Sequence, residues 1–396
     1  MHVGIPELSF KHGHVTWSVD VRGLADSPDR LWFRLPEQHA GLITELADPA
    51  VIGLLVPAMH AAEPMRVEGP VTDELVHNLV HGYQHILEAV IRGLERVGIH
   101  APNSVVAGNP AAGVATGFSA GVDSYTVLAE HYFSTVPKDL RLTHLMFFNV
   151  GSNGSGRGED QRRNFCIRYD RLAPVVEALG LPFVRVDSNL DDFYRFSYYQ
   201  QTNGPRNIAA ASLLQGGLGR YYFASSFPYA HVRIQRMHDT AFSDPISLPL
   251  LATRHFRPVS HGDQYTRVEK TLIVADLPAS HGSLDVCLSP WPAGGRNCSR
   301  CFKCLRTELT LEIAGRLEQY REVFDLDVYR RYRADFLYEV VTSHDEFMIE
   351  IRDQARSAGF SLPGVRIAQA RRLARKVDQK VHSLERRVHT RLAGRR

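Results

Sequence analysis

The sequence predicts an α/β fold with a parallel, doubly wound sheet. Around it are expected an N-terminal α+β module, a metal-bound cysteine loop and a helical C-terminal tail. Three observations carry this. Strand-like and helical segments alternate through residues 106–310, the pattern of a parallel sheet covered by helices. The octad Gly117-Phe-Ser-Ala-Gly-Val-Asp-Ser124 lies between a small apolar run and a helical pattern. Four of the five cysteines crowd into residues 287–304.

The chain has 396 residues, enough for two or three cores. Hydrophobic residues make up 44%, with both charge signs mixed, as in a globular protein. No apolar run of transmembrane length and no secretory leader pattern occur, so no membrane span and a cytoplasmic location are expected. The net charge of +3 is unevenly spread. Residues 365–396 hold eleven Lys/Arg against Asp378 and Glu385, so the rest of the chain is slightly acidic.

Residues 1–105 read as a separate β-rich module. Val15–Val21, Leu31–Leu35 and Val51–Val56 read as strands, and Thr72–Val97 as a helix with Thr72 or Asp73 at its N-cap. This module shows no chemical motif. In residues 106–310 the strand candidates are Gly113–Thr116, His144–Val150, Pro182–Val186, Tyr221–Ala224 and Pro249–Leu251. Helices are expected over Val122–Phe133, Arg162–Leu179 and Asn207–Gly217. Residues 311–396 form the third region. Glu308–Tyr320, which begins just before it, and Val328–Val341 read as helices. Leu373, Val377, Val381, Leu384, Val388 and Leu392 then repeat near a heptad period among arginines. A solvated helix end, a homodimer helix pair, or a surface for nucleic acid, an acidic partner or a membrane all fit that tail.

The octad is an anion-binding device if a strand feeds it and a helix leaves it. Backbone N–H groups converge at such a turn, and the helix dipole favours negative charge. Gly117-Phe-Ser119-Ala-Gly121 also satisfies the nucleophile-elbow pattern of α/β hydrolases. His231, His238, His255, His261 and His281 are the possible bases for that alternative.

Cys287-x10-Cys298-x2-Cys301-x2-Cys304 has the spacing of a four-thiolate metal site. Pro290, Pro292, Gly294 and Gly295 let the intervening loop fold back. Zn²⁺ in a structural role is expected, and an iron–sulfur cluster is the rival. Cys166 reads as a structural thiol.

Taken together, Ser119-Ala-Gly-Val-Asp123-Ser124, Gly204-Pro205-Arg206-Asn207 and the four cysteines followed by Arg306 resemble the PP-loop ATP pyrophosphatase family. The nearest likeness is to its zinc-containing 7-cyano-7-deazaguanine synthases. The resemblance spans roughly residues 110–310. Ala120 stands where the family has a second glycine, and Gly204-Pro205 exchanges the family's order.

The resemblance implies an adenine nucleotide α-hydrolase-like fold and a carbon–nitrogen ligase using ATP and Mg²⁺. A substrate carboxylate or carbonyl is adenylated, pyrophosphate leaves, and ammonia or an amine captures the product. It assigns Ser119, Ala120, Gly121, Val122, Asp123 and Ser124 to the phosphates, with Asn207 beside them. Asp123, Arg206 and Lys270 are the implied catalytic groups. Arg157, Arg162 and Arg163 follow a glycine-rich segment that either closes over the nucleotide or is a surface loop. A small acid is the expected substrate, with a protein or tRNA acceptor engaging the basic tail as an alternative. A degenerate nucleotide-binding docking protein is the non-enzymatic alternative.

Overall fold

The computed structural model describes residues 1–152, 158–287 and 297–367. The chain divides into two compact units, Met1–Thr266 and Arg267–Arg396. These boundaries differ from the expected ones at 105 and 310.

The first unit contains strands β1 (His2–Val3), β2 (Glu7–Lys11), β3 (His14–Arg22), β4 (Arg30–Pro36), β5 (Met65–Val67), β6 (Val71–Thr72), β7 (Ile99–His100), β8 (Ser104–Val105), β9 (Gly113–Gly117), β10 (His144–Phe148), β11 (Phe183–Ser188), β12 (Leu218–Ala224) and β13 (Arg257–His261). Among the described residues, eleven strands join one mixed sheet in the order β13-β12-β9-β10-β11-β4-β3-β1-β5-β7, with β2 on β3.

The block β13-β12-β9-β10-β11 is parallel throughout. From β9 the chain steps to β10 and β11 on one side. It then returns past β9 to β12 and β13 on the other. The winding therefore reverses between β9 and β12, the arrangement of an open doubly wound sheet.

Side-chain alternation places helices on both faces of this block. Phe147 stacks on Phe165 of the helix Glu159–Leu179, with centroids 5.2 Å apart. Its neighbours Met146 and Phe148 enter the core that contains Ile208 and Ala209 of the helix Tyr199–Ser212.

The N-terminal strands belong to the same sheet. β11 pairs antiparallel with β4, matching Asp187 to Arg34 and Ser188 to Phe33. β3 continues antiparallel from β4. The buried residues Val15, Trp17, Leu31 and Phe33 are part of the same core as the parallel block. Alternation gives a strand its buried face, but it does not say which strand lies beside it.

Several elements differ from expectation. Val51–Val56 lies in the helix Asp48–Ala61, buried from Asp48 to Met59. A short, wholly apolar run has no readable period, so burial on all sides decides its form. Gly53 lets this helix pack closely, since a Cβ there would stand 3.2 Å from the Ala209 Cβ. Thr72 does precede a helix, but the segment runs as Asp73–Asn78, a wide turn Leu79–Tyr83, and Gln84–Val90. Pro249–Leu251 falls in a 3₁₀ turn, and the fifth parallel strand is β13. Its sequence, Arg-Pro-Val-Ser-His, is too polar to announce a strand.

In the second unit the helices Arg267–Ala275, Phe302–Ile313, Leu326–Thr342 and Glu346–Ser357 share a core of Leu305, Leu309, Tyr329, Phe336, Met348 and Ile351. Asp325 and Asp345 cap two of them by accepting from first-turn amides. The heptad-like residues 373–392 lie outside the described residues, as do Arg157 and the cysteine loop's Pro290, Pro292, Gly294 and Gly295. Among the described residues, no helix is long and apolar enough to cross a membrane.

Candidate functional site

The octad begins at the C-terminal end of β9, one of the two strands flanking the reversal. Ligands of open α/β sheets sit in the crevice outside that reversal. Gly117 closes the strand, and the Phe118 N–H donates to Met146 O at 2.8 Å. Phe118 is buried and fixes the turn from below. Ala120 then adopts φ +55°, the left-handed region. Gly121 is the N-cap of the helix Val122–Leu128, which continues as a wide turn over Ala129–Phe133. The first intrahelical bond is Tyr125 N–H to Gly121 O, 3.0 Å. The preceding amides, those of Val122 to Ser124, therefore face out of the helix end.

Side chains support the turn from inside. Ser124 Oγ donates to Gly121 O at 3.0 Å. Ser119 Oγ accepts from the Gly121 N–H at 3.4 Å and, among the described residues, has no imidazole partner. Asp123 is half-buried in the first helical turn, where the dipole favours a carboxylate. Tyr221 of β12 was not foreseen. Its hydroxyl packs against Gly117. A Cβ at position 117 would stand 2.9 Å from that hydroxyl. The glycine thus has a packing reason independent of any nucleophile.

Gly204-Pro205-Arg206-Asn207 lies inside the helix Tyr199–Ser212. Thr202 breaks the helical geometry at φ −135° and ψ 16°. Pro205 therefore stands in the first turn of the second segment, where its missing N–H removes no helical bond. Arg206 is buried, 1% exposed, and its guanidinium is engaged through Nε and Nη1. Nε donates to Thr202 Oγ1 at 2.8 Å, and Nη1 to Val150 O at 3.2 Å and to Asp191. The guanidinium also lies 4.0 Å from the Tyr194 ring centroid. Arg206 thus ties the segment after β10 to the helix. Asn207 Nδ2 donates to Tyr199 Oη and to Asn203 O, both at 2.7 Å.

At the ends of β10 and β11, Asp187 accepts from Arg34 Nη2 at 2.9 Å, Arg162 Nε at 3.0 Å and Asn149 Nδ2 at 2.7 Å. The guanidinium of Arg162 also lies 5.3 Å from the Trp32 ring centroid. Arg162 is thereby anchored to the sheet.

In the second unit, Cys287, Cys298, Cys301 and Cys304 bring four sulfurs within 4.8 Å of one another. The Cys304 sulfur lies 3.8 Å from that of Cys298 and 3.4 Å from that of Cys301. Sulfurs bound at about 2.3 Å to one tetrahedral ion lie about 3.8 Å apart, so this donor set fits a metal ion. Hydrogen bonding with Cys287 and Cys301 pushes the Cys304 thiol far above its ordinary value. A divalent cation among the sulfurs reverses that preference by stabilising thiolates. Buried Asn297 holds the loop, donating to Leu284 O at 2.8 Å and Val323 O at 3.0 Å and accepting from Val286 N–H. The Cys301 N–H donates to Cys298 Sγ at 3.3 Å.

Lys270 belongs to the second unit and is buried in the helix Arg267–Ala275. Cys166 is a free, half-buried thiol. A cavity of about 360 Å³ in the first unit is lined by Glu74, Tyr229, Pro249, Arg254, Arg257 and Ser260, among others. None of the octad residues lines it. Comparison with family models, curated proteins and solved structures finds no match to this chain.

Proposed function

We propose that the chain is an ATP-dependent ligase that adenylates a carboxylate or carbonyl oxygen and passes the product to ammonia or an amine. The observation that carries this is the octad's position: a small-residue turn and helix N-terminus at the winding reversal between β9 and β12. The amides of Val122 to Ser124 and the Ser119 hydroxyl suit the departing pyrophosphate portion. Asp123, in the first helical turn, would hold a Mg²⁺ ion, which would neutralise phosphate charge.

In the proposed reaction a substrate oxygen attacks the α-phosphorus and the bond to the β-phosphate oxygen breaks. Nitrogen then attacks the activated carbon, AMP leaves with the former substrate oxygen, and the nitrogen loses a proton. Arg206 acts here as a positioning residue for the segment after β10, since its Nε and Nη1 are already engaged. Catalysis rests on placement and on charge stabilisation. We assign Zn²⁺ to the four cysteines as a structural ion, because four thiolates leave no open coordination position.

The hydrolase alternative finds no base at Ser119 among the described residues and gives Asp123 no role. The test is to incubate pure protein with Mg-ATP, candidate acids and ammonia and identify the nucleotide product. AMP with pyrophosphate is expected. ADP with phosphate, or no turnover with any acid, would overturn the reading.

A further inference from the structure

The hairpin β2–β3 turns over His12 and Gly13, whose φ angles are +50° and +71°. Two positive φ values in a two-residue loop give the tight hairpin turn that suits twisted strands. Lys11 and His14 flank it and form the pair that such a turn closes with a hydrogen bond. Alternation then fixes the rest of β2. Glu7, Ser9 and Lys11 turn their backbone groups to β3, and Leu8 and Phe10 turn theirs outward. The parity of β3 agrees, since its Asp20 O accepts from Gly4 N–H at 2.9 Å on the side where β2 and β1 lie. Among the described residues β2 pairs with β3 alone, so its outer edge is open. Pro6, at the next outward position, has no N–H and ends the edge.

The side chains on this edge divide by face. The register sets Leu8 across from Trp17 and Phe10 across from Val15. Trp17 and Val15 are fully buried, whereas Leu8 is 43% and Phe10 54% exposed. The apolar face of the sheet therefore runs out to the edge uncovered. Glu7, Ser9 and Lys11 occupy the opposite face, and Glu7 lies 3.3 Å from Arg30, which also holds Asp20 at 2.7 Å.

The segment Glu7-Leu8-Ser9-Phe10-Lys11 is complementary to itself. A two-fold axis beside Ser9 sets Leu8 opposite Phe10 of a second copy, and Glu7 opposite Lys11. Both outward residues of each copy then exchange both backbone hydrogen bonds, four in all. An axis at Leu8 would instead match Phe10 to Pro6, and one at Phe10 would match Leu8 to His12 in the turn. Only the Ser9 register satisfies the outward groups and pairs opposite charges. We propose that two copies of this chain associate through β2, antiparallel about a two-fold axis at Ser9, so that their sheets join. Such an interface is isologous and closes at two copies. It covers an apolar edge that would otherwise be a template for pairing. It is independent of the ligase reading and of the C-terminal tail.

Sedimentation velocity of the full chain over a range of concentrations at low ionic strength tests this. A reversible monomer–dimer equilibrium is expected. Lys11→Glu places two carboxylates opposite each other at both ends of the pairing and should weaken the dimer at least about tenfold. Adding Glu7→Lys to it should restore the affinity, because the opposite pairs return with reversed sign. Leu8→Pro removes an outward N–H that β3 does not use and should abolish the dimer. A wild type that stays monomeric at every concentration would overturn the proposal. So would a dimer that Lys11→Glu leaves intact, or one that the reversed pair fails to restore. Glu7 and Lys11 are exposed, so these outcomes decide even if Leu8→Pro fails to fold.

Discussion

Gly117 and Tyr221 set the local geometry of the octad together. The tyrosine hydroxyl occupies the space that a side chain at 117 would need. Gly117→Ala should cost about 1–3 kcal/mol, the usual penalty for overpacking. Combining it with Tyr221→Phe should recover part of that loss, measured as a coupling energy in urea unfolding. Equal costs in both backgrounds would refute the contact. The glycine was legible in the sequence, but its reason was not, because the partner lies on another strand. Ala120 was legible as a departure from a glycine pattern. The structure adds that its φ of +55° is one that glycine adopts without strain. Asp244 gave no signal at all. It is buried, and among the described residues its Oδ2 has no hydrogen-bond partner. Burial, with Asp239 and Asp263 nearby, raises its carboxyl well above the ordinary range. The folded state then keeps a proton that the unfolded chain releases, so stability falls as pH rises above the ordinary carboxylate value. Asp244→Asn should raise the Tm relative to wild type, and by more at pH 8 than at pH 4. A gain independent of pH would contradict the raised carboxyl.

At the scale of elements, the segment after β10 and the cysteine loop each depend on one anchoring side chain. Arg206 holds the first through Val150 and Asp191. Removing one partner of a buried ion pair typically costs about 3–5 kcal/mol. Arg206→Met should lose that much in urea unfolding, and adding Asp191→Asn should restore part of it. A loss below about 1 kcal/mol would show that the pair is dispensable. In the second unit, a metal ion held by the four cysteines would couple binding to folding. Cys301→Ser should release the ion and lower the Tm, and a chelator should bring the wild type to the same value. A variant that keeps its metal and Tm would refute the site. The cysteine spacing was readable because nearly all of the chelate is local: three of the four ligands lie within residues 298–304. Strands with buried, β-rich runs, such as His144–Phe148, were readable for the same reason. The helix Asp48–Ala61 was not, because an apolar run buried on every side carries no period. β13 was not, because its polar residues mark an edge.

At the scale of the whole molecule, the alternation of strands and helices was enough to give the α/β class. The order of the strands was not readable, since pairing partners sit far apart in sequence. β4 beside β11 is the clearest case, and it draws residues 1–105 into the sheet. The same strand order puts the octad at the reversal between β9 and β12, which is why a short, weak motif gains weight. We propose that this turn holds nucleotide phosphates. This is tested most directly by titrating Mg²⁺ and a non-hydrolysable α,β-methylene ATP into the wild type and into a folded Ser119→Ala, Asp123→Ala double variant. Saturable binding by the wild type, weakened at least about tenfold in the variant, equivalent to about 1.4 kcal/mol, is the expected result. No binding by the wild type, or equal affinity for both, would contradict the account.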